Sequence, residues 1–413
     1  MPCRVSYRDI NVKFKNKEIK MNTESIRKEI ACLKQSPLFN LSLASKEHFH
    51  THFIKFLCEQ YPGSAMNALQ DMLGIKISRL GEIKTEERNF DLLIEYNDNN
   101  TIYFEVKIKS VAVSAQLDKY AQKMEGGDVF VLLALCKPLF FSEDDVYRCS
   151  GSKICCKYVN IKSLFEAIRG NIRNGKNKYH EYLLKDYSDF IYSLLRLLDS
   201  ITIKNGTELI GFSGTGIYNN FKAIKLHDLY HKYLFSQIGW RLSEKKEQDM
   251  IYYGHRNDME TKEADWDRFV VSTNFFRGTG LVECKKIIFP PKDPSPQYAV
   301  LIGVQVHNNQ FRLLVSFEPE SLSSRHFGKL KDLADKLFKD NDLLSFQEDE
   351  TLFDEQRGQK KEICGYGKYF QYKYKTLKNN VTVDELISLV CSSVKFAKGN
   401  MDKIEEAARQ IFA

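Results

Sequence analysis

The sequence predicts an α/β core followed by a second domain of α+β class. Three observations point there. Between Ser45 and Cys136 the hydrophobic pattern changes period in the order helix, three strands, helix, strand. A stretch rich in Gly and Asn, TIKNGTELIGFSGTGIYNN at 202–220, breaks the chain near its middle. The length of 413 residues also exceeds what one typical core organises. The expected division is an N-terminal helical lead and α/β domain over residues 1–200, then a C-terminal α+β domain over 201–413.

Residues 23–60 read as helical. TESIRKEIACLKQ opens at Thr23 with an acid close behind, the start of a capping box. SKEHFHTHFIKFLCEQY begins at Ser45 and spaces Phe49, Phe53, Phe56 and Leu57 along one face, and Pro62-Gly63 is expected to stop it. IKISRLGEIK at 75–84 alternates as a strand. NFDLLIEYNDNNTIYFEVKIKS at 89–110 forms a hairpin about a polar turn at 97–100. VSAQLDKYAQKM, from Val113, is a short amphipathic helix ended by Gly126-Gly127. DVFVLLALC at 128–136 is a continuous apolar run, suited to a strand buried on both faces. Helical periodicity resumes over 161–200, with Arg169, Arg173, Lys176 and Lys178 on or near an exposed loop. The second half offers a helix near 221–242 and several strands, among them YAVLIGVQV and FRLLVSFE across 307–310. Helices near 325–338, 383–396 and 402–411 complete it, and QEDETLFDE at 347–355 reads as a solvated acidic loop. No internal repeat is evident.

Composition narrows the function classes. No run approaches the ~18 apolar residues a membrane helix needs, and the basic start lacks the apolar segment of an export signal. No membrane partner is expected. The ten cysteines are scattered without paired spacing, the usage of reduced thiols in a cytoplasmic protein. A formal charge of +7 is compatible with a polyanionic partner without identifying one.

The hairpin at 89–110 holds the chemistry. Side chains alternate along a strand, so Glu105 and Lys107 share one face while Phe104, Val106 and Ile108 take the other. Asp91 lies on the neighbouring strand and comes near Glu105 if the register allows. One reading makes Glu105 and Lys107 the wet face of a hairpin and Asp91 a strand-start residue. In the other, two adjacent carboxylates need a cation to stay ionised. A hard divalent ion, Mg²⁺ or Mn²⁺, would bridge Asp91 and Glu105. Lys107 would then stand within reach of a water or a phosphate oxygen. Such a set hydrolyses phosphodiesters.

Asp91 followed by Glu105-Val106-Lys107, on the third strand of a helix–strand–strand–strand–helix–strand unit, resembles the PD-(D/E)XK nuclease superfamily. Gln116-Leu117-Asp118-Lys119-Tyr120 resembles the Gln-x-x-x-Tyr element of its RecB-like branch, where that helix face is turned toward the active site. Gln116 and Tyr120 stand one helical turn apart, as this requires. Glu47 lies on the helix before the core strands, where many members place an accessory acid. Phe90 departs from the proline in the motif's name, a position that only shapes the chain. The resemblance spans residues 45–136, and KYVNIKSLFEAI after it is similar to bacterial members with C-terminal extensions. It implies a restriction-endonuclease-like core with Asp91 and Glu105 as ligands of Mg²⁺ or Mn²⁺. The Val106 carbonyl would be a third oxygen and Glu47 an accessory ligand. Lys107 would stabilise charge or orient water, and Gln116 and Tyr120 would position the phosphate or the lysine. The implied activity is a magnesium-dependent deoxyribonuclease, with DNA favoured over RNA by family habit, in a setting such as restriction or phage defence. Cutting both strands of a duplex needs two sites, hence a homodimer in that case. An activating partner is left open. The alternative is a nucleic-acid-binding or interaction protein that keeps the fold without turnover.

Other features carry less. His48 and His52, and His227 and His231, have helical zinc spacing but lack two further ligands nearby. GFSGTG at 211–216 and FRGTGL around Gly278 and Gly280 are not complete nucleotide fingerprints and read as turns. GYGKYFQYKYKTLK at 365–378 interleaves rings and lysines as single-strand binders do. In strand period, however, Tyr372 and Tyr374 face one way and Lys373 and Lys375 the other. Lys373 and Lys375, with Arg169, Arg173, Lys176 and Lys178, are the candidate nucleic-acid contacts.

Overall fold

The structure, a computed structural model, describes residues 24–45, 47–97, 100–125, 127–172, 178–245, 250–254, 268–276, 279–289, 299–318, 327–340, 342–347, 350–354, 362–367 and 369–412. Thr23, Arg173 and Lys176 lie outside the described residues. The chain divides into two compact units, residues 1–202 with 216–230, and residues 203–215 with 231–413. Each is mixed α/β and built on a mixed sheet.

The first unit opens with helices at 24–35 (α1), Pro37–Ser45 (α2), Glu47–Gln60 (α3) and Pro62–Leu73 (α4). Pro62-Gly63 ends α3 but also starts α4, a helix the sequence reading did not foresee. Proline at the first helical position gives up an N–H that would be orphaned anyway. α4 stops at Gly74, whose φ of 69° suits glycine and whose N–H reaches the Gln70 carbonyl at 2.9 Å.

The strand expected over 75–84 is displaced to Leu80–Glu87 (β1). The Asn97 side chain explains the shift. Its Oδ1 accepts from Ser78 N and Ser78 Oγ, each at 2.7 Å, and its Nδ2 donates to the Lys76 carbonyl at 2.6 Å. Residues 76–79 therefore form a loop clamped by one amide instead of a ladder. Asn97 itself sits at φ 49°, which asparagine tolerates better than alanine. Asn97→Ala is expected to cost about 1–2 kcal/mol in equilibrium denaturation without changing the unfolding cooperativity. A cost near zero would mean that water replaces the clamp.

β1 turns into Phe90–Tyr96 (β2) through Arg88 and Asn89, at φ 54° and 69°, between the paired Glu87 and Phe90. Two positive values give the tight mirror-image turn that matches strand twist. Asn100–Lys107 (β3) then pairs antiparallel with β2 from Tyr96↔Asn100 to Leu92↔Phe104. Ser114–Ala121 (α5) leads to Val129–Ala134 (β4), parallel to β3. Two strands that the sequence reading left out follow, Val146–Arg148 (β5) and Cys155–Asn160 (β6), completing the order β1-β2-β3-β4-β6-β5. Ile161–Asn171 (α6) and Lys178–Ser200 (α7) replace the single expected helical span, and Gly216–Lys222 (α8) follows.

β3 is buried on both faces from Ile102 to Val106. Leu117 and Ala121 of α5 pack with Phe90, Leu93, Tyr103, Phe130 and Leu132 on one side of the sheet. α3 packs across β1, β2 and β3.

His227–Ser243 (α9) runs from the first unit into the second. The sheet of the second unit holds Met250–Gly254 (β7), Phe269–Phe276 (β8), Thr279–Phe289 (β9), Ala299–His307 (β10), Gln310–Glu318 (β11), Cys364–Tyr366 (β12) and Phe370–Thr376 (β13), in the order β12-β13-β11-β10-β9-β8-β7. β7 and β8 run parallel and the other pairs antiparallel. Phe327–Asp335 (α10), Val383–Gly399 (α11) and Met401–Phe412 (α12) complete the unit. α11 opens with a full capping box between Thr382 and Glu385. Among the described residues the nine cysteines are free thiols, and no helix is long and apolar enough to cross a membrane.

Candidate active site

The site is assembled where β2 and β3 part. The last paired residues are Leu92 and Phe104, and one step further Asp91 stands across from Glu105. There a side chain takes over from the ladder: the Val106 N–H donates to Asp91 Oδ2 at 2.7 Å. Asp91 is thus fixed between two splayed strands by a charge-assisted bond. Glu105 and Lys107, two residues apart on one face, converge on it from β3.

Glu105 is far from a wet face, at 1% exposure. Its Oε1 accepts from Lys107 Nζ and from Gln116 Nε2, the latter at 2.7 Å. Gln116 Nε2 also donates to Tyr120 OH at 3.0 Å, so one amide uses one donor to tie α5 to the site and the other to brace itself within α5. The Tyr120 ring is 5.1 Å from Phe90, so the residue in the proline position packs under the helix that carries Gln116. Among the described residues, Glu105 Oε2 is buried without a hydrogen-bond partner, and so is Glu47 Oε1 at the start of α3.

The charges do not balance. Among the described residues, Asp91 and Glu47 act on Glu105, and Glu47 acts on Asp91, with Lys107 the ammonium that opposes both. Burial pushes Glu105 up to about 7. Lys107 opposes that shift, while Asp91 and Glu47 add to it. Asp91 is raised as well, chiefly by burial, against its bond from Val106 and the pull of Lys107. Burial alone would lower Lys107, but the charge and hydrogen bond of Glu105, with Asp91 and Glu47, hold its ammonium above the usual range. Among the described residues, the pocket has a surplus of negative charge and two buried oxygens with no donor to accept from. Among the described residues, no group of three or more His, Cys, Asp and Glu side chains is gathered closely enough to hold a metal ion by itself.

One residue outside the sequence-derived set borders the site. Glu86, at the end of β1, accepts through Oε1 from His48 Nδ1 on the first turn of α3. Its charge also reaches Asp91. The EERN run just before the hairpin was the available signal: a strand end with φ 61° at Glu86 folds the acid toward α3. His50, between the two surface histidines, is buried against Tyr187, with Nδ1 3.1 Å from the phenol.

The other sequence candidates lie elsewhere. Lys107, Ala134 and Asn160 line up as one row across β3, β4 and β6, and α6 starts at the next residue. Arg169 is exposed in the last turn of α6, about 12 Å along that helix from the row. Lys178 is exposed two residues from His180, whose Nδ1 meets Tyr61 OH at 2.9 Å. Tyr61 follows the end of α3 opposite Glu47, about 20 Å along the helix. Lys373 and Lys375 belong to the second unit, half-buried over the ring of Phe346 at 5.9 and 5.3 Å.

No protein-family model, curated protein or solved structure matches the chain.

Proposed function

We propose that the protein is a divalent-metal-dependent nuclease of PD-(D/E)XK type, acting on phosphodiester bonds of nucleic acid and on DNA by preference. The observation that carries this reading is the convergence of Asp91, Glu105 and Lys107 where β2 and β3 part, with a carboxylate oxygen of Glu105 buried and unpartnered. The surplus of carboxylate fits a hard cation. Mg²⁺ uses one or two protein carboxylates and fills the rest of its sphere with water and substrate phosphate, so Asp91 and Glu105 suffice and Glu47 is at hand. When bound, such an ion supplies Lewis-acid polarisation of the phosphate and a more acidic attacking water.

The chain's own groups do the rest. Asp91 is pre-oriented by the Val106 N–H, so its geometry does not depend on the ion. Lys107, kept protonated by Glu105, offers its ammonium to the oxygen on which charge develops during phosphoryl transfer. Gln116 holds Glu105 Oε1 and directs the other oxygen away from α5. Tyr120, bonded to Gln116, keeps that amide from turning.

The test is cleavage of circular and linear, single- and double-stranded DNA, with an RNA control, in Mg²⁺, Mn²⁺ and EDTA. Metal-dependent cutting that is lost in Lys107→Ala is the expected result. Cutting in EDTA, or cutting that survives Lys107→Ala, places the chemistry elsewhere. A folded chain that binds but cuts none of these substrates supports a binding protein on the same scaffold.

A further inference from the structure

The second unit holds a buried charged cluster on one face of its sheet. Register assembles it: Glu283 on β9 pairs with Gln305 on β10, and Gln305 pairs with Arg312 on β11. Lys285, two residues past Glu283, joins the same face, with Nζ 3.0 Å from Glu283 Oε2 and both side chains 1% exposed. Gln305 bridges the strands. Its Nε2 donates to Glu283 Oε1 at 2.5 Å, and its Oε1 accepts from Arg312 Nη1 at 2.7 Å. Gln310 Oε1 accepts from Arg312 Nε at 3.0 Å and from Nη2 at 2.5 Å. The Arg312 guanidinium lies 4.4 Å from the ring centroid of Tyr372 on β13, whose ring stands in a row with those of Phe370 and Tyr374, 5.6 and 6.1 Å away. Lys373 and Lys375 alternate to the other face.

The charge count is informative. Lys285 and Glu283 offset one another. Arg312 has no carboxylate in contact among the described residues, and its three bonds all go to neutral amide oxygens. His307 at the end of β10 supplies no negative charge either. Burial, with Arg312 beside it, pushes this imidazole down to about 4, so it is neutral at pH 7. A largely buried guanidinium without an anion is costly. Of the five N–H donors an arginine carries, three are used here, which leaves two. The cluster is fully buried at Glu283 and Lys285 and half-open at His307, Gln310, Arg312, Tyr372 and Tyr374. The opening thus has a fixed planar cation and a row of rings.

We propose that this face binds a phosphoryl group carried by a nucleotide, free or within a strand. Arg312 receives the phosphate on its two remaining N–H donors, and Tyr372 and Tyr374 present aromatic surface to the base. The Lys285–Glu283–Gln305 relay fixes the plane of the guanidinium. Binding here needs no metal, so it stands apart from the reading of the first unit.

The experiment uses the full chain carrying Asp91→Ala, in EDTA, so that the first unit neither cuts nor holds metal. Calorimetric titration with inorganic phosphate, adenosine monophosphate and a single-stranded oligothymidine separates the possible sources of the phosphoryl group. Arg312→Gln is expected to weaken every probe that binds by about tenfold or more, with cooperative melting retained. Tyr374→Leu is expected to weaken the nucleotide and the oligonucleotide while leaving phosphate unchanged. Failure of all three probes at millimolar concentration overturns the proposal, as does unchanged binding in a folded Arg312→Gln. If Arg312→Gln does not fold, unchanged nucleotide binding by Tyr374→Leu overturns it instead.

Discussion

Asp91→Asn is expected to lower metal-dependent cleavage on the order of 10³-fold or more while the protein still melts cooperatively. Asparagine is the informative substitution because Asp91 has two tasks. One is to accept the Val106 N–H at 2.7 Å, which holds β2 and β3 in their splayed geometry. An amide oxygen can do that. The other is to bring negative charge to the pocket, which an amide cannot do. Lewis-acid and charge stabilisation of a phosphoryl transition state contribute several kcal/mol, and each ~1.4 kcal/mol is a factor of ten. Loss of the ion's anchor therefore removes most of the rate. The companion measurement is the thermal shift on adding Mg²⁺ or Mn²⁺, expected in the wild type and abolished in the variant. A variant that keeps a tenth of the activity, or the full shift, would sink the assignment of Asp91 as a ligand.

The outline of this site was legible because strands impose a period of two. Glu105 and Lys107 had to share a face, and a hairpin about 97–100 had to bring Asp91 close to them if its register was even. The observed pairing of Leu92 with Phe104 supplies that register. Gln116 and Tyr120 were legible for the corresponding helical reason, one turn apart on α5. What could not be read was depth. The sequence allowed Glu105 to be wet, and its burial depends on α5 covering the face that Tyr103, Phe130 and Leu132 share, a tertiary fact with no local signature. β5 was missed because three residues carry no period to detect, and β1 was misplaced because a single distant amide, Asn97, redirects residues 76–79. The second unit was opaque for a different reason. Glu283 and Lys285 look like an ordinary alternating strand until β10 sets Gln305 beside Glu283, and the hairpin about 308–309 sets Arg312 beside Gln305.

Glu105→Gln should make the metal-free protein more stable at pH 8, and little different near pH 4.5. The carboxyl of Glu105 rises from 4.5 to about 7 in the fold, with burial the main cause. The folded state then holds the proton more tightly than the unfolded chain does. Stability is full below the unfolded value and falls as pH climbs from about 4.5 to about 7, flattening above. The shift corresponds to roughly 3–4 kcal/mol at most, since each unit is about 1.4 kcal/mol and the pairing with Lys107 is already counted within it. A glutamine imitates the protonated acid. Its oxygen can keep the bonds from Lys107 and Gln116, while its NH₂ occupies the place of Oε2, which has no donor and faces the charges of Asp91 and Glu47. Denaturant titrations at pH 4.5 and 8, with and without Mg²⁺, decide the matter. The gap between variant and wild type should open with pH, and the ion should close it by stabilising the wild type alone. A variant less stable than the wild type at pH 8 in EDTA would mean that the Glu105–Lys107 pair stabilises the fold, and that the pocket is a structural ion pair with no charge waiting for a cation. That outcome and the cleavage result are independent, because one reads the cost of an unneutralised carboxylate and the other reads what its neutralisation makes possible.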